Sequence, residues 1–112
     1  MFEVITLASG SEGNSTLVRN HTASFLIDAG LSAKQLTARL LAVGLCPEQL
    51  SGILLTHEHG DHTSALKVIL TRHQVPIFCN FLTGRALQDF GLVHGDWRFF
   101  HTGSEFWIGS FA

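Results

Sequence analysis

The chain has 112 residues, a hydrophobic fraction of 46% and a formal charge of −2 at pH 7. That length allows one domain at most, and the apolar content with a positive mean hydropathy excludes a disordered chain. Only seven Lys and Arg are present and no basic run exists, which argues against strong non-specific nucleic-acid binding by charge alone.

The N-terminus lacks the basic region and long apolar core of a signal peptide and reads as a strand. Phe2, Val4 and Thr6 alternate there with Glu3 and Ile5, and burial is expected to be complete by Leu7. Ser9-Gly10-Ser11-Glu12-Gly13-Asn14 is a turn, built from residues that accept positive φ or hydrogen-bond locally. Residues 15–18 and 24–27 read as a hairpin around Arg19-Asn20-His21-Thr22. Ser32 and Gln35 have the spacing of a capping box. The helix they start carries Leu36, Leu40 and Val43 on one face and ends near Gly44. Residues 52–56 form a strand whose unbroken apolar run predicts burial on both faces.

A second helix is expected just after His62, capped by Thr63 or Ser64, with Ala65, Leu66, Ile69 and Leu70 on its apolar side. Residues 75–79 read as a short strand. Thr83 is the expected cap of a third helix running through Leu87 and Phe90 to Gly91. Residues 97–100 and 105–108 look like a strand pair about Thr102-Gly103-Ser104. The alternation of strand and helix predicts a mixed sheet with helices on one face. Cys46 and Cys79 are isolated and read as buried free thiols, which fits a reducing, cytoplasmic location. No stretch approaches the roughly 18 apolar residues of a membrane span.

The chemistry concentrates in Thr56-His57-Glu58-His59-Gly60-Asp61-His62, an H-x-H-x-D-H cluster directly after an apolar strand. His57 and His59 are two apart, so an extended segment points both to the same side. Asp61 and His62 follow where the chain must turn, and so can face a second ion beside the first. Imidazole with carboxylate suits Zn²⁺ first, with Mn²⁺ or Fe²⁺ as alternatives. Two-metal sites of this kind hold their ions about 3.5–4 Å apart.

Three segments together resemble the metallo-β-lactamase fold superfamily: the metal cluster with its preceding strand, the Ser-Gly-Ser-x-Gly-Asn turn, and Leu26-Ile27-Asp28-Ala29-Gly30. Within it they are similar to the small single-domain branch typified by WalJ/YycJ-type hydrolases, regarded as DNA exonucleases. The resemblance implies an α/β fold (an α+β mixed sheet) forming the N-terminal half of an αββα sandwich. Residues 1–112 are then a metallo-β-lactamase-like domain whose C-terminal half is absent, whether by truncation or as a natural fragment. It further implies that His57 and His59 ligate one metal and Asp61 and His62 the other, with Asp61 also a catalytic carboxylate. Asp28 would support the metal loop, with capping of the first helix as its alternative reading. Glu58 points away from the two histidines by strand alternation and is read as supporting or solvated. Ser11, Asn14 and the backbone of their turn are candidates for substrate contact. His94 and His101 are the other conceivable ligands, but family order argues against both; like His21 and His73 they are read as surface histidines.

The resulting expectation is a hydrolase with two divalent metal ions, acting through metal-bound hydroxide on a phosphodiester, most naturally DNA. A thioesterase or a lactam or lactone hydrolase on the same site is the alternative within enzymes. A catalytically inactive half-domain is the alternative outside them. Four ligands shared by two ions give each ion fewer than the three that catalytic zinc normally has, so the chain alone is expected to be inactive.

Overall fold

In a computed structural model, the structure describes residues 2–10, 13–57, 60–89, 91, 95–101, 103, 105–109 and 111, residue 61 by its backbone alone. The elements run β1 (Glu3–Ala8), β2 (Ser15–Arg19), β3 (Ser24–Ile27), α1 (Ala33–Ala42), a 3₁₀ turn (Pro47–Gln49), β4 (Gly52–Leu54), α2 (Gly60–Thr63), α3 (Leu66–Arg72), β5 (Ile77–Asn80), α4 (Phe81–Asp89) and β6 (Trp97–Phe100). The six strands form one sheet in sequence order. β1, β2 and β3 pair antiparallel, and β3 to β6 pair parallel. The expected mixed α/β architecture is the one observed.

Strand register explains the core. Ile5, Leu17, Leu26, Ile53, Ile77 and Trp97 stand opposite one another in a single row across all six strands. Leu17, Leu26, Ile53 and Ile77 in that row are fully buried. Leu36 and Leu40 of α1, Leu66 and Ile69 of α3, and Leu87 of α4 belong to the same apolar cluster. The 3.6-residue spacing of Leu36 and Leu40 therefore serves the function its pattern predicts, which is to cover one sheet face. Ser32 caps α1 by accepting a hydrogen bond from the Gln35 amide.

The other sheet face is covered in part by the last residues of the chain, where the sequence predicts a strand at 105–108. The segment forms no strand among the described residues; it contributes one isolated bridge between Ile108 and Phe111. Its apolar side chains lie on the sheet instead. Phe106 stacks on Phe100 and Phe78, at centroid distances of 4.5 and 5.8 Å. Phe111 meets Phe25 edge-on at 5.2 Å. Rings packed this way bury a large apolar area. β6 meanwhile pairs in parallel with β5.

Two helix starts also differ from expectation. The helix after β4 and the histidine-rich loop is broken: α2 is a single turn that contains His62, and α3 starts after Ala65 with no side-chain cap. The cause is a backbone bond, since the Ala65 amide donates to the Ala29 carbonyl at 2.9 Å and cannot continue the first turn. α4 begins at Phe81, before Thr83, because the Asn80 side chain accepts from the Thr83 amide and is the cap. Phe90 lies outside the described residues, while Gly91 takes φ +99° just beyond the helix.

Candidate metal centre

β3 and β4 are adjacent and parallel, so their C-terminal ends open on one rim, the usual ligand-binding edge of such sheets. Asp28 leaves β3 there, and Thr56 and His57 follow β4. The Asp28 amide continues the ladder by donating to Leu54 O at 2.7 Å, and its carbonyl accepts from the Ser15 hydroxyl at 2.8 Å. Between these two bonds the chain must reverse. Asp28 does so at φ +66°, the only positive φ of a non-glycine residue among those described. Aspartate is one of the few residues that tolerate this left-handed conformation.

Asp28 is 5% exposed, and its carboxylate is fully engaged. Its Oδ1 accepts from the Thr56 amide at 2.8 Å, and its Oδ2 accepts from the Thr56 hydroxyl at 2.6 Å. Oδ2 also lies 2.7 Å from His62 Nδ1. His57 Nδ1 lies 3.1 Å from the Thr56 oxygen, and the rings of His57 and His62 are 4.9 Å apart. The His62 carbonyl accepts from the Ala29 amide at 2.7 Å, so α2 is tied to the segment that follows Asp28.

These contacts fix proton positions. An ionised carboxylate only accepts, so a neutral His62 carries its proton on Nδ1, and Nε2 is its basic nitrogen. The Thr56 hydroxyl spends its proton on Asp28, so toward His57 its oxygen accepts. His57 is thereby also a Nδ1 donor with Nε2 as the basic atom. Two imidazoles held by their Nδ1 atoms, one of them on a buried carboxylate, are the arrangement that orients histidines toward a metal.

Of the residues singled out from sequence, the structure brings together Asp28, His57 and His62. Asp28 does not cap α1, whose cap is Ser32. Asn14 is tied to the segment that follows Asp28: its carbonyl accepts from the Gly30 amide at 2.9 Å, and its side chain closes the turn by bonding both the amide and the carbonyl of Gly10. Ser11, Glu58, His59 and His94 lie outside the described residues, as does the side chain of Asp61. Among the described residues no group of three or more His, Cys, Asp or Glu side chains gathers as a metal cluster. His21 and His101 are exposed, and His73 lies 3.6 Å from Glu48 at the far end of the sheet. Thr56 is absent from the candidates that the sequence offers, although it contacts all three gathered side chains. Its signal is position: a hydroxyl residue between a buried strand and the first metal-loop histidine.

The profile of the metallo-beta-lactamase superfamily matches residues 8–110. The chain belongs to that superfamily. It is 38% identical over 88 residues to the exodeoxyribonuclease WalJ of Streptococcus pneumoniae serotype 2 (strain D39 / NCTC 7466), a match covering 79% of this chain and 33% of WalJ. It is 42% identical over 80 residues to a ribonuclease Z of Mycolicibacterium gilvum (strain PYR-GCK), covering 64% of this chain and 27% of that protein. Among solved structures, a mutant of a flavo di-iron protein from Thermotoga maritima superposes with a TM-score of 0.74 at 28% identity, over 87% of this chain and 25% of that one. The chain thus spans about a third of the length of the curated relatives it matches.

Proposed function

We propose that this chain carries the first metal-binding segment of a hydrolase that cleaves phosphodiester bonds in nucleic acid, with DNA as the first substrate to test and RNA as the second. The observation that carries this reading is the clamp of Asp28 on His62 Nδ1 and Thr56, inside an H-x-H-x-D-H loop. The names of the relatives, an exodeoxyribonuclease and a ribonuclease Z, support the substrate class.

The donor set fits divalent ions. His57 and His62 offer imidazole nitrogens, and with His59 and Asp61 they are the residues that would hold two ions, Zn²⁺ first and Mn²⁺ or Fe²⁺ next. Such ions, when bound, would supply Lewis acidity at the phosphoryl oxygen and lower the pKa of an attacking water. The chain's own residues do the rest. Asp28 fixes the tautomer and ring plane of His62. Thr56 links that carboxylate to His57, so the two rings are set by one hydroxyl. The turn at Asn14, bonded to Gly30, forms the wall of the rim next to them and is our candidate for contact with the substrate backbone. No helix among the described residues is long and apolar enough to cross a membrane. The free thiols of Cys46 and Cys79 support a cytoplasmic location.

The test uses the chain and a version extended to the relatives' length. Each is loaded with Zn²⁺ or Mn²⁺ and assayed on single-stranded DNA, RNA, bis-p-nitrophenyl phosphate, a lactam and a thioester. Chelator-sensitive turnover of the diesters, lost in His57→Ala and His62→Ala, is the expected result for the longer form. Turnover of the lactam or thioester without any diester cleavage would overturn the assignment.

A further inference from the structure

A nucleic acid meeting a chain of formal charge −2 must find its positive charge locally. Arg39 is placed to supply it. It lines a small open cleft of about 210 Å³ together with Ser9, Gly13, Leu31 and Gln35. We propose that this cleft is a phosphate-binding subsite, taking a backbone phosphate of the substrate other than the one attacked. The second half of that statement rests on the phosphodiesterase reading.

Three observations lead there. The first is the state of the guanidinium. Arg19 is paired with Glu3 and Arg98 with Asp96, whereas Arg39 donates from Nη1 to the Leu7 carbonyl, a neutral acceptor. Among the described residues the head is therefore anchored without a carboxylate partner, and its planar fork keeps donors for an oxyanion. The second is the lining. Beside Arg39 it is lined by Gln35, with a side-chain amide, and Ser9, with a hydroxyl, and it contains no carboxylate among the described residues. The first turn of α1, which carries Gln35, has no acidic residue either. Among the described residues an anion there meets donors and no like charge.

The third is position. Gly13 forms one wall, pressed so closely on the next segment that a methyl group on it would fall 3.1 Å from both the Gly30 carbonyl oxygen and the Leu31 side chain. The same short segment is bonded to the metal loop, through Ala29 and His62, and to the rim turn, through Gly30 and Asn14. Residues 28–31 thus have the Asp28–His62 clamp at one end and the Arg39 cleft at the other. A strand lying along the rim passes both.

The test is made in chelator, so that no metal-held phosphate contributes. The ¹⁵N-labelled chain is titrated with inorganic phosphate and with tetrathymidylate bearing a 5′-hydroxyl, which presents diester phosphates only. Thymidine is the phosphate-free control. Both phosphate probes are expected to shift the Arg39 Nε–H and the amides of Gly13 and Gln35, and thymidine is not. Arg39→Glu is expected to weaken binding of tetrathymidylate at least tenfold. Because Arg39 also holds Leu7, a second variant guards against misfolding: Gln35→Glu places a carboxylate in the cleft, yet suits the third position of a helix capped by serine. It should weaken binding by a similar factor with an unchanged thermal midpoint. Equal affinity of the parent and Gln35→Glu, or shifts confined to residues outside the cleft, would overturn the proposal. Binding of inorganic phosphate without binding of tetrathymidylate would overturn the substrate part and leave a free-phosphate site. Diester turnover is measured separately with metal, so its failure would remove the enzymatic reading without touching this result.

Discussion

Asp28 Oδ2 accepts from the Thr56 hydroxyl at 2.6 Å and lies 2.7 Å from His62 Nδ1, so one buried oxygen sets both the loop after β4 and the His62 ring. Asp28→Asn keeps the shape and the tolerance for φ +66°, but its amide cannot accept from both partners and the Thr56 amide at once. Metal affinity is expected to fall about 10–100-fold, the usual cost of losing such a supporting partner, read by calorimetric titration with Zn²⁺. Asp28→Ala should lose more stability than Asp28→Asn. It leaves the Thr56 amide unpaired, at about 1–3 kcal/mol, and puts alanine in the left-handed region, at about 1–2 kcal/mol. Equal urea midpoints for the two variants would contradict this account of the turn.

Thr56 offers a cleaner separation of hydroxyl from shape. Thr56→Val removes the proton that Asp28 accepts and the oxygen that faces His57 at 3.1 Å. A loss of about 1 kcal/mol is expected, with weaker metal binding, whereas Thr56→Ser should retain most of both. If Val and Ser behave alike in denaturation and in metal titration, the hydroxyl does not carry the orientation of the two rings.

Two glycines predict opposite outcomes from similar crowding. A methyl group on Gly52 would sit 2.6 Å from the Phe78 ring and 3.0 Å from Ile108. Phe78 is buried at 5% exposure and stacked against Phe106, so it cannot yield. Gly52→Ala should cost about 1–3 kcal/mol by overpacking. On Gly84 the nearest atom would be Phe99 Cε1 at 2.2 Å, but Phe99 is 45% exposed and can swing outward. Gly84 is also helical, where alanine is better by about 1 kcal/mol, so Gly84→Ala should be much the milder change. Chemical denaturation of both variants decides the order.

The parts of this molecule that are legible in the sequence are those set by local pattern. Ser32 before Gln35, the Leu36 and Leu40 spacing, and the hairpin about Asn20 are each decided by residues within one or two turns of chain, and each appears where the pattern predicts it. The motif likewise places His57 and His62 beside Asp28, because strand ends in a parallel sheet share a rim. What the sequence does not disclose depends on distant partners. The break between α2 and α3 is caused by the Ala29 carbonyl, far upstream of the Ala65 amide it binds. The fate of residues 105–108 is decided by aromatic rings on β5 and β6, which a period-two pattern cannot register. Thr56 is hidden because a threonine after a strand is commonplace until Asp28 lies opposite it. His59 and the side chain of Asp61 remain expectations from the motif alone.

The two cysteines should differ sharply in reactivity. Cys79 is fully buried on β5, and that burial pushes its thiol up from the ordinary value of 9.0 to about 11, against a lesser opposing effect of the Gly84 backbone hydrogen bond. At pH 8 only about one molecule in a thousand would then carry the reactive thiolate. Cys46 is only partly buried. Titration of the folded chain with an aromatic disulfide at pH 8 should therefore release one equivalent quickly, lost in Cys46→Ser, and a second only after denaturant is added. The same shift has a signed consequence for stability. The folded-state pKa is the higher one, so as pH rises past about 9 the unfolded chain gives up its thiol proton first and binds fewer protons than the native state. Stability must then fall between about pH 9 and 11. Cys79→Ala should flatten that part of the profile. A parent and variant with parallel denaturation midpoints from about pH 8.5 to 11 would show that Cys79 is not held as the neutral thiol.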